Sequence, residues 1–273
     1  AGKITGNITL KVNTSFVLLP KEPMAFRSFD SRVGYFTEEF TDFGDDQQQV
    51  KRRQVISRWR LEPKDVDAYR RGELVEPVKQ IVYYIDPATP KKWVPYLIAG
   101  VNDWNAAFEK AGFKNAICAK EWPNDSTMSL EDARYSVIRY LASDISNAYG
   151  PHVSDPRSGE IIQGDVLFYS NVVKLLHNWR FVQTAAVDPK VRKPVFDDET
   201  MGSALRYVAA HEIGHTLGLM HNFGASYSYP VDSLRSASFT QKYGTTPSIM
   251  DYTRFNYVAQ PGDKGVALMP PHL

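Results

Sequence analysis

The sequence predicts an α/β fold of the α+β kind, one sheet flanked by helices and closed by a small irregular C-terminal part. Three observations predict it. From residue 77 onward, apolar strand-like runs alternate with helical patterns. After residue 222 the chain turns to "GASYSYPVDSLRSASFTQKYGTTPS", rich in Ser, Gly and Pro and therefore loop-dominated. The composition supplies the core: of 273 residues, 43% are hydrophobic and 23% charged, as in ordinary folded domains.

Residues 1–76 read as an extended N-terminal segment, either the end of an upstream domain or a scaffold. "NITLKV" (7–12), "SFVLLP" (15–20) and "QVISRWRL" (54–61) show strand-like alternation, while "EEFTDFGDDQQQ" (38–49) reads as a loop. "PKDVDAYRRGEL" is a short helix candidate ending at Gly72. In the second part, 77–222, "KQIVYYID" (79–86) is a buried strand and "WVPYLIAGVNDWNAAFEKAGF" (93–113) a single helix. Its apolar positions Leu97, Val101, Trp104 and Phe108 recur at three and four, and Gly112 ends it. "YSVIRYLA" (135–142) is a further strand, and "AYGPHV" and "EIIQGDVLFY" flank the turn "SDPRSG" as a hairpin, with Gly164 marking a bulge or a close backbone approach. A long helix is expected from about 199 to 217, capped by Asp197 or Asp198, with Met201, Leu205, Val208, Ile213 and Leu217 on its apolar face. Residues 223–273 form the third, irregular part.

Several function classes lose support at once. Lys and Arg total 32 against 31 Asp and Glu, so no charge excess points to nucleic acid or an anionic membrane. The basic run "KRRQVISRWR" reads as a solvated strand face. Cys118 is the single cysteine and cannot close an intrachain disulfide; its neighbours Ala116, Ile117 and Ala119 suit a small buried residue better than a catalytic thiol. No stretch approaches the ~18 apolar residues of a membrane span, and "AGKITGNITLKV" lacks the pattern of a signal peptide. The triplets at Asn7, Asn13 and Asn124 read as chance matches to a glycosylation acceptor.

The chemistry is concentrated in "HEIGHTLGLMH" (211–221), which holds three of the six histidines. His211 and His215, four apart, lie one turn apart on one helix face and can share a metal ion. Glu212 sits ~100° round the helix, placed to reach a water on the metal rather than the metal itself. Were the helix to continue, His221 would stand ~9 Å above His215 and ~240° around it, facing away. The helix must therefore stop, and Gly218 supplies the left-handed residue that turns the chain back. Three neutral imidazoles plus a water leave an open position, which is the arrangement of one catalytic Zn2+ rather than a structural ion. Zinc would lower the pKa of its water to ~7 and polarise a carbonyl, with Glu212 as general base passing the proton to a departing amine.

On these residues the sequence resembles the metzincin metallopeptidases. His211, His215 and His221 match the family's zinc ligands and Glu212 its general base. "SIMDY" (248–252) is similar to the family's Met-turn, which implies that Met250 lies beneath the histidines. Tyr252 matches the tyrosine that, in the astacin-like and serralysin-like branches, helps hold the tetrahedral intermediate. "VNDWNAAFEKAGFKNAI" and "HEIGHTLGLMHNFGAS" further resemble large bacterial zinc-dependent metalloproteases with an N-terminal region of unknown function. That likeness spans roughly residues 30–265. It implies a metzincin-like twisted mixed sheet with a backing helix and an active-site helix, and a secreted, periplasmic or cell-surface location. Together with the opening at Ala1, it reads as the catalytic part of a longer chain. It also implies an antiparallel edge strand lining the cleft. By order "GDVLFY" (164–169) is the candidate for that strand, with an ordinary hairpin arm as the other reading. Asn222 departs from the residue that several branches place after the third histidine. "FGDD" (43–46) reads as a loop rather than an astacin-like aspartate switch, and Cys118 lacks the surroundings of a matrixin switch.

The resulting expectation is a zinc-dependent endopeptidase acting on protein or peptide. Two rivals stand beside it: a non-catalytic zinc-containing module that grips extended peptides, and a zinc hydrolase of small amides or esters. The wall that selects substrate side chains is expected after Met250, in "TRFNYV" (253–258).

Overall fold

A computed structural model describes residues 6–44 and 48–270; Asp45 and Asp46 of "FGDD", and His272, lie outside the described residues. In chain order the elements are β1 (Thr37–Asp42), β2 (Lys51–Ile56), α1 (Val66–Arg70), β3 (Ile81–Ile85), α2 (Val94–Asn102), α3 (Asn105–Lys110), β4 (Ile117–Glu121), β5 (Ser136–Leu141), β6 (Ala148–Tyr149), β7 (His152–Asp155), β8 (Glu160–Gly164), β9 (Val166–Tyr169), α4 (Val172–Thr184), α5 (Asp198–Thr216), α6 (Gly224–Tyr227) and α7 (Ala237–Tyr243).

The central sheet has the order β4-β3-β5-β9-β6. Its first four strands run parallel and β6 runs antiparallel to β9, giving the mixed sheet expected. Alternation along β3 buries Ile81, Tyr83 and Ile85 in one core with Leu97 and Val101 of α2 and Leu205, Ala209 and Ile213 of α5. The helix α2 lies against β3 and β4, and α5 against β9 and β6, so a backing helix and the histidine-bearing helix share one apolar layer. Among the described residues no helix is long and apolar enough to cross a membrane.

One buried polar link ties this sheet to α5. The Tyr83 hydroxyl, fully buried, donates to Thr216 Oγ1 at 2.7 Å, while Thr216 Oγ1 donates to the Ile213 carbonyl at 2.7 Å. Gly164 makes the link possible, because a Cβ there would stand 2.8 Å from the Tyr83 hydroxyl and 2.9 Å from Thr216 Cβ. The close approach predicted at Gly164 is thus present. Tyr83→Phe removes one partner of this buried pair and is expected to cost about 1–2 kcal/mol, read as a lowered urea midpoint. An unchanged midpoint would show that the link contributes nothing.

Several sequence expectations need correction. "NITLKV" and "SFVLLP" are extended but form no strand among the described residues: Ile8, Leu10 and Val12 face solvent because no sheet edge runs beside them. "EEFTD", read as loop, is the strand β1, paired antiparallel with β2 and supported by Arg53 Nε donating to Asp42 at 2.7 Å. The helix expected over 93–113 is two, α2 and α3. The chain breaks at Asp103–Trp104, where Asp103 accepts from Arg206 Nε at 2.8 Å and the Trp104 indole donates to the Ala210 carbonyl at 2.8 Å. "GDVLFY" is not the edge strand: β9 lies between β5 and β6, and the antiparallel edge is β6. The strand β4 and the 13-residue helix α4 were not anticipated; the buried stripe of α4 is Val172, Leu176, Arg180 and Thr184, half of it polar. The short helix α1 lies within the stretch read as helical but ends at Arg70, two residues before Gly72; the β7–β8 hairpin and α5 match the sequence reading, with Asp197 as the cap of α5, accepting from Thr200 N–H at 2.8 Å.

Candidate metal centre

Helix α5 carries His211, Glu212 and His215, and its end is shaped by Gly218. At φ +97° Gly218 closes a Schellman turn, its N–H donating to the His215 carbonyl and Leu219 N–H to the Gly214 carbonyl, both at 3.0 Å. The chain then reverses and brings His221 back over the helix end, as the spacing predicted.

The N-terminal segment braces this turn through its backbone. Phe36 N–H donates to the Gly218 carbonyl at 2.7 Å, Met220 N–H to the Gly34 carbonyl at 2.9 Å, and Ser57 N–H to the Phe36 carbonyl at 2.7 Å. The Trp59 indole adds a bond to the Thr216 carbonyl at 2.9 Å. The Phe36 ring stands 5.8 Å from that of His215. Nothing in the sequence pattern announced this brace, because it is built mostly from main-chain groups.

One ring nitrogen each from His211, His215 and His221 lies within 4.8 Å of the others. His211 Nδ1 bonds the Ile249 carbonyl at 2.7 Å and His215 Nδ1 bonds the Leu219 carbonyl at 2.8 Å. A carbonyl can only accept, so each Nδ1 carries the proton in the neutral ring and each Nε2 presents a lone pair. His211 Nε2 is buried without a partner, and His215 Nε2 faces His221 Nε2 at 3.1 Å. Zn–N bonds of ~2.0–2.1 Å in a tetrahedral site set ligand nitrogens ~3.3 Å apart, so converging lone pairs at this spacing fit a shared zinc ion. Burial lowers the pKa of His211 to about 3 and also holds His215 and His221 below the ordinary value, keeping the rings neutral as metal binding requires.

Glu212 is 8% exposed, and burial alone raises its pKa to about 7. It lines a small cavity of about 60 Å³ with His211, Ala148, Trp179, Tyr252 and Arg254. Met250 is buried against the histidine-bearing helix and fills the space that Gly214 leaves: a Cβ on Gly214 would lie 2.2 Å from its sulfur. The Met250 carbonyl also accepts from Asn222 N–H at 2.9 Å, tying the turn to the third histidine. The Tyr252 ring lies 4.3 Å from that of His221 and 5.3 Å from that of His211, and its hydroxyl-bearing side chain remains 43% exposed. The residues singled out in the sequence are thus brought together. Cys118 stands apart on β4, half-buried, its thiol bonding Gln80 Oε1 at 3.3 Å. Sequence reasoning missed Trp179, which sits on the unanticipated α4, and named Arg254 only as part of "TRFNYV".

Residues 193–273 match the family model described as Met-zincin, a span that contains all three histidines, Glu212, Met250 and Tyr252. Residues 1–64 match a model described as Domain of unknown function (DUF5117), and it is from this span that the brace on Gly218 comes. No curated protein and no solved structure matches the chain.

Proposed function

We infer that the metzincin segment of this chain is the catalytic part of a zinc-dependent endopeptidase. The observation that carries this reading is the convergence of three histidine nitrogens, one of them from His211, which lines a small cavity with Glu212 and with Ala148 of the edge strand β6. His211, His215 and His221 would hold one Zn2+. When bound, zinc supplies Lewis acidity, polarising a carbonyl and lowering the pKa of a water to ~7. Glu212 takes the proton of the attacking water and hands it to the departing amine. The Tyr252 hydroxyl, beside the histidines, donates a hydrogen bond to the oxygen on which negative charge develops.

A peptide substrate is favoured over a small amide by β6. This strand pairs with β9 on one side, Ala148 lines the cavity and Tyr149 is half exposed. Among the described residues no strand pairs with its outer edge, where an extended peptide would add as a further strand and align several substrate residues along the site. Chelation of the metal is expected to abolish cleavage of a peptide mixture, and stoichiometric Zn2+ to restore it. Cleavage that persists in metal-free protein would overturn the reading.

A further inference from the structure

We propose that Arg254 selects substrates with an acidic side chain next to the bond that is cut, an inference that rests on the endopeptidase reading above. Arg254 follows the Met250 turn and lines the same small cavity as His211, Glu212 and Tyr252. Its backbone has φ +56°, a left-handed conformation that a non-glycine residue holds only where the surroundings enforce it. Here they do. The guanidinium is stacked 3.8 Å from the centre of the Trp179 ring and 4.3 Å from that of Tyr252, held between an aromatic of α4 and one beside the histidines.

Stacking occupies the faces of a guanidinium and leaves its N–H donors, which lie in its plane, for other partners. None is taken. Among the described residues Arg254 joins no ion pair and no hydrogen bond, whereas Arg139 pairs with Glu131 and Asp86, Arg180 with Asp188 and Arg206 with Asp103, and the partly buried Arg58 donates to the Ala25 carbonyl at 2.8 Å. Burial holds the pKa of Arg254 below its ordinary value, the direction expected of a cation that lacks a counterion. A planar, immobilised guanidinium with free in-plane donors matches a carboxylate, which can accept two of them at once.

The cavity decides where that carboxylate comes from. At about 60 Å³ it is far below the ~300–1,000 Å³ of sites that enclose drug-sized molecules, and it opens beside the metal ligands. It has room for a short acidic head and none for a large aromatic side chain. A peptide lying along β6 passes Ala148, which lines the cavity, so the side chain nearest the reacting carbonyl is the one directed at Arg254.

The test is a cut-site profile of the zinc-loaded chain on a defined peptide library, read by mass spectrometry. Asp or Glu is expected to be enriched at one position flanking the cut. Arg254→Gln is expected to lower the ratio of acidic to neutral cleavage about tenfold or more, and Arg254→Glu to shift preference toward Lys and Arg. Cleavage by the parent with no acidic enrichment, or enrichment that survives in Arg254→Gln, overturns the proposal. A binding arm keeps the two readings separable. Zinc-loaded Glu212→Gln is titrated with peptides carrying a fixed central Glu or Gln between random flanks. Tighter binding of the Glu set supports the role of Arg254 even if the parent cuts nothing, whereas equal affinity overturns it. Absence of cleavage by the zinc-loaded parent counts against the peptidase reading instead.

Discussion

Glu212→Gln is expected to retain zinc and to lower the rate of peptide cleavage by about 10²–10⁴-fold, the usual contribution of a positioned general base. The substitution keeps the size of the side chain and removes its ability to take a proton. Glu212 is not one of the three histidines positioned to hold a metal, and it is buried in the cavity beside His211. Zinc stoichiometry measured beside kcat/KM separates the two functions of the stretch. A variant that loses zinc along with activity would place Glu212 among the ligands, and one that keeps full activity would remove it from the chemistry.

The second large effect is expected at Gly218. Alanine there meets two penalties together: φ +97° is costly for any residue with a Cβ, and that Cβ would lie 2.1 Å from the Ser57 carbonyl oxygen. Relief requires the N-terminal brace to move away from the turn that returns His221 to the site. Gly218→Ala is therefore expected to cost about 2–4 kcal/mol in urea unfolding and to weaken zinc binding in the same protein. The coupling is the informative part. If stability falls while zinc affinity holds, the turn and the third histidine are independent, and the brace supports the fold alone.

Four residues of the N-terminal segment form the contacts behind this expectation. Gly34 and Phe36 hold the Gly218 turn by backbone bonds, Ser57 N–H in turn holds the Phe36 carbonyl, and Trp59 holds the last turn of α5.

The metal centre was legible because its geometry is local. His211, Glu212, His215, Gly218 and His221 lie within eleven positions, and helix periodicity plus one left-handed residue fix their relation. Met250 and Tyr252 were readable through a resemblance, since a lone methionine in a loop carries no pattern of its own. The short apolar runs that form β3 and β5 were also legible. What escaped was non-local or main-chain in nature. The edge strand β6 has two residues, too few for a period, and its place beyond β9 depends on strand order. Half of the buried stripe of α4 is Arg180 and Thr184, which masks a helix that packing and the Arg180–Asp188 pair stabilise. Arg254 is an unremarkable loop residue until the fold sets Trp179 against it.

Hydrolysis of peptide bonds at these histidines is decided by one paired measurement. The chain and its Glu212→Gln variant, matched for zinc content, are incubated with a diverse peptide mixture and the products sequenced by mass spectrometry. Internal cuts by the parent alone are the expected result. Zinc bound in both proteins with no cut by either would contradict it and favour a module that grips peptides without cleaving them.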